Sequence, residues 1–242
     1  MGQGAEQVIK FKYMSDNIFV PPVVPASEAL PGWYKKMSYG EPPSPQGRAL
    51  TAKACMPFFD AMTQGYIIPL WADMYVSVEK NDNGGPEFSW RDGQTEVIAP
   101  HRPDQTKGMP IMDKALGMEQ QSFKFNSPWL IQTPEGYSTL FTSPLNNVNP
   151  KFSLVSAIVA TDTYPGFINF PFVWTGPPDW EGLIPMGTPV AQLIPFKRDD
   201  FRHEIGAMNE EDNLRTISAQ RAMGASFMNV YKNLWRKMTR SV

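Results

Sequence analysis

This 242-residue chain is poor in the side chains that most often carry chemistry: it has one cysteine, Cys55, and two histidines, His101 and His203. A single thiol excludes an intramolecular disulfide framework and fits a reducing compartment. Cys55 lies in the apolar run Cys55-Met56-Pro57-Phe58-Phe59, where it reads as a buried structural thiol rather than an activated nucleophile. The histidines are far apart, and His101-Arg102-Pro103-Asp104 lacks the His-x-Asp spacing of a two-histidine, one-carboxylate metal site. His203-Glu204 reads as a surface pair. No P-loop, dinucleotide fingerprint or serine elbow occurs. An apolar run of about 18 residues is also lacking, as is a charged-then-apolar leader, so the sequence predicts neither a membrane span nor a secretory signal, and a cytoplasmic protein. Finally, no charge of one sign dominates. The 22 Lys+Arg and 24 Asp+Glu leave a net charge of -2, which provides no global field for a nucleic acid or an anionic membrane.

Proline is what the chain has in excess. Its 24 prolines are about twice the usual ~5% share, and they are scattered rather than gathered in one linker. Because proline is excluded from helix interiors and central strands, this spacing predicts many short strands separated by turns. The expected fold is mainly β, a sandwich or barrel of one domain with appendages. Three regions are expected: an extended Pro-rich arm over 1–47, a β body over 48–200, and a linker with a basic amphipathic helix over 201–242.

In the arm, Val8 to Tyr13 alternates as an edge strand, and Val20 to Pro25 must be extended. Ser27 is expected to cap one helical turn through Leu30, ended by Pro31-Gly32. Trp33-Tyr34-Lys35-Lys36 sets two aromatics beside two lysines. This is either a stacking or cation–π site or, as preferred here, an anchor of the arm on the body or on a neighbouring subunit. Glu41 to Gly47 is a Pro-rich linker.

The body is organised around Phe152 to Lys197. Phe152 to Ala160 reads as one strand apolar on both faces, and Phe167 to Thr175 as a second, with Ile168, Phe170, Phe172 and Trp174 turned to the core. Trp174 and Trp180 flank a Gly-Pro-Pro break, as loop anchors or as walls of a stacking pocket. Val190 to Phe196 forms a third strand after the turn Ile184 to Pro189. Upstream, Cys55 to Met62 is a turn or short helix, and strands are expected at Tyr66–Leu70, Trp71–Glu79, Glu87–Trp90, Thr95–Ile98, Phe123–Phe125, Trp129–Gln132 and Tyr137–Phe141. The turn Asn81 to Gly85 joins two of them. Ala99 to Gly117 shows no periodicity.

Three of these segments resemble a known family. Thr133-Pro134-Glu135-Gly136-Tyr137 is similar to the entry of the second motif of trimeric deoxyuridine triphosphatases and the related dCTP deaminases. Ile158 to Gly166 resembles their uracil-reading hairpin, and Met186 to Ile194 their following strand. The resemblance spans about residues 60 to 197 and implies a β-clip or jelly-roll-like body that assembles as a threefold trimer. It also implies a base pocket with Asp162, Tyr164, Asn146 and Gln192, Asp73 as a second carboxylate, and Mg²⁺ as the only cofactor, needed only if nucleotides are bound. The catalytic motifs are not intact. Thr142-Ser143-Pro144 stands where those enzymes carry the Arg-Ser step that binds phosphate, and Thr161 takes the catalytic carboxylate position with Asp162 one residue late. In an extended segment that offset turns Asp162 to the other face. The whole chain, especially Leu30 to Met37 and Gln192 to Arg198, also resembles a family of unknown function found in tailed phages and bacteria, which supplies no activity.

From Asn213 to Met238 the apolar residues recur at helical spacing, and Asp212 is the expected cap. Phe227, Tyr231, Leu234 and Trp235 form the expected partner stripe. Residues 213–242 hold six cations and no acid, leaving -8 for everything before them. Packing within a homo-oligomer is the first expectation for the helix, another protein the second, and lipid the last. The function expected is therefore a non-enzymatic assembly or interaction protein, homo-oligomeric and phage-encoded if the last resemblance holds. The alternative is a nucleotide-binding or nucleotide-processing protein on the deoxyuridine triphosphatase scaffold.

Overall fold

A computed structural model of the chain describes residues 7–14, 19–40, 50–80, 86–91, 96–105, 108–109, 122–231, 233 and 236. The predicted linker 41–47, the turns at 81–85 and 92–93, most of the loop 99–117, and Leu234 and Trp235 lie outside them, as does the side chain of Phe227.

The described residues include fourteen short strands: β1 (Lys10–Tyr13), β2 (Val24–Pro25), β3 (Tyr66–Pro69), β4 (Met74–Lys80), β5 (Pro86–Arg91), β6 (Ile98–His101), β7 (Ser122–Phe125), β8 (Trp129–Gln132), β9 (Tyr137–Thr142), β10 (Phe152–Leu154), β11 (Ala157–Val159), β12 (Phe170–Trp174), β13 (Glu181–Ile184) and β14 (Pro189–Lys197). The helices are α1 (Gly32–Lys36), α2 (Met56–Thr63) and α3 (Glu210–Val230). Strand makes up 35% of the described residues against 19% helix, so the predicted mainly β class holds. No helix among the described residues is long and apolar enough to cross a membrane.

The strands form four antiparallel sheets in the orders β11-β9-β14-β3-β2, β10-β12-β7-β6, β13-β4-β5 and β1-β8. One hydrophobic core draws on all of them, with Phe125, Phe172, Trp174, Ile68, Leu193, Val76 and Ile131 almost fully buried. The predicted inward face of β12 is seen: Ile168, Phe170, Phe172 and Trp174 are each 6% exposed or less. Aromatic rings cement the sheets, as where Phe125 of β7 stacks on Phe172 at 4.4 Å between centroids.

Four expectations need correction. The strand expected over Phe152–Ala160 is two, β10 and β11, which join different sheets. Because apolar residues occupy both faces of this run, its pattern alone does not show where the chain crosses over. The helical turn expected at Ser27 is a hydrogen-bonded turn without helix, and the helix α1 instead starts at Gly32, after Pro31. Proline tolerates the edge of a helix because its missing N–H would have no partner there. The strand ending at Ile98 begins there instead, as β6 pairs Ile98 with Phe125. The C-terminal helix starts three residues early, capped by Asn209, whose Oδ1 accepts the Asp212 N–H at 2.8 Å. Glu210, Glu211 and Asp212 then occupy its first turn, where negative charge suits the helix dipole.

The arm lies on its own body. β1 pairs with β8 from Lys10↔Gln132 to Tyr13↔Trp129, and β2 pairs with β3. Gly65, entering β3, has φ +71, and a Cβ there would sit 1.9 Å from the Leu193 carbonyl oxygen of β14. Only glycine permits this approach of the two backbones.

Candidate functional site

The structure places the residues of the nucleotide-like set at separate points of the fold, with most of their polar atoms committed to it. Gln192, on β14, is fully buried. Its Nε2 donates to the carbonyls of Ala61 at 2.9 Å and Gln64 at 2.7 Å, and its Oε1 accepts the Leu145 N–H at 2.7 Å. One side chain thus ties the end of α2 and the turn after β9 to the central strand of the sheet. Asn146, in that turn, adopts φ 57 and its amide reaches the Phe58 carbonyl only at 3.5 Å.

Asp162 follows β11 in a turn and is held by the residue after β14. Its carboxylate forms a two-point ion pair with Arg198, with Nη1–Oδ1 at 2.9 Å, and accepts the Gly136 N–H at 2.9 Å. The Asp162 side chain is 3% exposed, and that of Arg198 is 42% exposed. Arg198 Nη1 also donates to the Tyr137 carbonyl at 2.8 Å and the Ser138 hydroxyl at 3.1 Å. The Arg198 hydrogen bond, together with the Gly136 N–H, stabilises the anion and brings the Asp162 pKa down to about 2. Thr161, at the position the resemblance gives to the catalytic carboxylate, is 1% exposed. Its hydroxyl is bonded to those of Thr133 at 2.7 Å and Thr139 at 2.9 Å. Tyr164 is exposed beside this turn.

Asp73 lies elsewhere. It accepts the Met186 N–H at 2.8 Å, in the turn that leads into β14, whereas Asp162 meets Arg198 at that strand's far end. The nine residues of β14 span about 30 Å, so the two carboxylates do not converge within a chain. The tryptophans are anchors. Trp174 is 1% exposed, donates to the Pro177 carbonyl at 3.2 Å and packs against half-buried Trp180 at 5.4 Å. Trp33 donates to Asn147 Oδ1 at 3.1 Å, and Tyr34, almost buried, stacks on Phe58 and Phe59 of α2. Within the chain these contacts lay the Trp33-Tyr34 segment of the arm against α2 and the turn after β9.

The C-terminal segment behaves differently. Beyond Arg198 the chain runs exposed to Asn209, with Phe201 91% exposed, Ile205 94% and Met208 57%. α3 continues this exposure through its first turns, where Leu214 is 62% exposed. No other described strand or helix packs extensively against α3. At its end the helix widens, the Arg236 N–H donating to the Tyr231 carbonyl at 2.9 Å, and Arg236 clasps Asp60 of α2. Arg236 Nε lies 2.9 Å from both Asp60 oxygens, and Nη2 bonds Oδ1. The two side chains are 14% and 10% exposed. Of the predicted partner stripe, only Tyr231 is a described side chain, and it is half-buried.

The body carries a matching apolar surface. On the outer face of the five-stranded sheet, α2 covers Gln192, but farther along β14 the same face holds Ile194 and Phe196. The register sets Ile158 of β11 beside Leu140 of β9 and Leu140 beside Ile194. Ile158 is 64% exposed, Phe196 36%, and the other two half-buried.

Arg198, Asp60 and Arg236 have no local signal in the sequence, since their partners lie 36 and 176 residues away. The exposed Phe201, Ile205 and Met208 could have been suspected from isolated apolar residues in a charged linker. Among the described residues no cluster of three or more His, Cys, Asp or Glu could hold a metal ion. No family model and no curated protein matches this chain, so its function is argued from the surfaces described above.

Proposed function

We propose that this chain is a non-enzymatic assembly protein whose copies associate through the C-terminal segment Phe201–Val230, laid on the body of a neighbouring copy. The observation that carries this reading is the exposure of Phe201, Ile205, Met208 and Leu214 on a tail that barely touches its own body. Burying a large apolar side chain contributes about 1.5–3 kcal/mol, so these four offer a substantial driving force that an isolated chain leaves unused. The row Ile158, Leu140, Ile194 gives the tail an apolar place to land. The nucleotide reading would need Asp162 and Gln192 free to meet a base, and both are held by internal hydrogen bonds.

Sedimentation velocity across a concentration series tests this. The full chain is expected to form a defined oligomer, and the threefold state implied by the resemblance is one outcome. Phe201→Ser with Ile205→Ser and Leu214→Ser should yield a folded monomer, as should Ile158→Lys on the receiving face. A full chain that stays monomeric at every concentration overturns the proposal.

A further inference from the structure

Where the arm, α2 and the end of the tail meet, the structure forms a cleft of about 390 Å³, within the range of small-molecule sites. Three chain segments that are distant in sequence build it. Leu30 and Met56 supply aliphatic wall, and the rings of Tyr34, Tyr39 and Phe59 supply aromatic wall. Lys35, Lys53 and Arg236 also line it. Among the described residues Arg236 is paired with Asp60, while Lys35 and Lys53 make no ion pair, which gives the cleft a positive character in a chain whose net charge is -2.

The donors have capacity to spare. Lys53 Nζ donates to the Lys35 carbonyl at 2.9 Å and sits over the Tyr39 and Tyr34 rings at 5.3 and 5.9 Å, which fixes its position and leaves it without a carboxylate partner among the described residues. The ammonium of Lys35 makes no ion pair among the described residues. Arg236 uses Nε and Nη2 on Asp60 and leaves Nη1 without a partner among them. Tyr34 is the most telling. It is 4% exposed, lines the cleft, and its hydroxyl has no hydrogen-bond partner among the described residues. The buried side-chain polar atom left unsatisfied among the described residues is Trp129 Nε1, so the Tyr34 hydroxyl reaches solvent at the cleft, where a ligand oxygen can accept from it. Burial, with Tyr39, Cys55 and Asp60 nearby, raises its pKa, so the hydroxyl remains a donor at neutral pH.

We propose that this cleft binds a small organic anion with an aromatic body, its charged group set among Lys35, Lys53 and the Tyr34 hydroxyl and its ring against the aromatic and aliphatic wall. Lysines as unpaired point charges suit phosphate and carboxylate alike, while the rings and Met56 favour an apolar substituent over a bare inorganic ion. The site is complete only when Arg236 is seated, so occupancy should also hold the tail's end to α2.

Isothermal titration of the full chain with phenyl phosphate, benzoate, phenol and inorganic phosphate tests the assignment. Saturable binding of phenyl phosphate or benzoate at one per chain is expected, at least about tenfold tighter than phenol or inorganic phosphate, which corresponds to about 1.4 kcal/mol. Which of the two anions binds tighter identifies the anionic group. Tyr34→Phe, which keeps the ring packing, should weaken binding several-fold. Lys35→Met, at an exposed position, should weaken it and flatten its salt dependence. Absence of saturable binding by both aromatic anions overturns the proposal. So does inorganic phosphate binding as tightly as phenyl phosphate, or both variants binding as the parent does.

Discussion

The body and the C-terminal segment of this protein treat the same residue types in opposite ways. Phe172 is 2% exposed in the core and Phe201, 29 residues later, is 91% exposed. Gln192 is wholly buried with its amide fully bonded, while the polar groups of residues 199–209 face solvent. In the core of the body, apolar packing and nearly all buried side-chain hydrogen bonding among the described residues are closed within one chain, Trp129 Nε1 being the buried donor without a partner. In the tail they are left open, except at the Asp60–Arg236 clasp. Contiguous exposed apolar surface marks interaction sites, and this contrast is the reason the proposed contact between copies is placed at the tail.

The largest effect that sharpens this contrast comes from matched truncations. Phe172→Ala should cost about 3–5 kcal/mol of folding stability, read by chemical denaturation, whereas Phe201→Ala should change the stability of the dilute monomer by no more than about 0.5 kcal/mol. Equal costs would break the comparison. Next is Gln192→Leu, which preserves bulk but leaves the Leu145 N–H and the carbonyls of Ala61 and Gln64 without partners. A loss of about 2–4 kcal/mol is expected, read the same way.

Asp60→Asn comes third. Truncating one side of a buried ion pair can cost about 3–5 kcal/mol, but this pair joins the tail to the body rather than the sheets to each other. The expected result is rapid proteolytic cleavage after the tail's lysines and arginines, with the midpoint of body unfolding moved little.

The smallest effect is electrostatic. Asp162 titrates at about 2 in the folded protein against an ordinary 3.8, so its pair with Arg198 contributes stability in full above about pH 4. That contribution is lost as pH falls from 4 toward 2, because the unfolded chain takes up the proton first. Asp162→Asn should lower the melting temperature by a few degrees at pH 7 and remove this part of the acid dependence, shrinking the difference from the parent as pH approaches 2.

How much of this was legible in the sequence depended on whether the determining contacts are local. Strand β12 was readable because Ile168, Phe170, Phe172 and Trp174 recur at every second position and sheet pleating turns them to one side, although Val173, on the opposite face, is also buried, with Met109 packed against it. The break between β10 and β11 was not, because Phe152 to Ala160 is apolar or small on both faces, and a choice between two sheets is made by distant strands β12 and β9. β13 went unread because Glu181-Gly182-Leu183-Ile184 has too few residues to show a period. The Asn209 cap had a local signal, an Asn before three acids, which the apolar periodicity starting later obscured. Gln192 was singled out as a ligand contact through resemblance, and its role as a three-way internal clip depends on Ala61, Gln64 and Leu145, none of them near it in sequence. The cleft needed the same long-range information, since Tyr34, Lys53 and Arg236 meet only in three dimensions.

Hydrogen exchange of the amides in residues 199–230, measured on dilute and on concentrated protein, tests the central claim most directly. If the tail is covered by a neighbouring copy, these amides exchange fast at low concentration and become protected as oligomer forms, along with amides of β11 around Ile158, while the core strand β12 is protected in both. Tail exchange that is the same at both concentrations, in protein shown by its mass to have associated, would contradict the account and move the contact between copies elsewhere on the body.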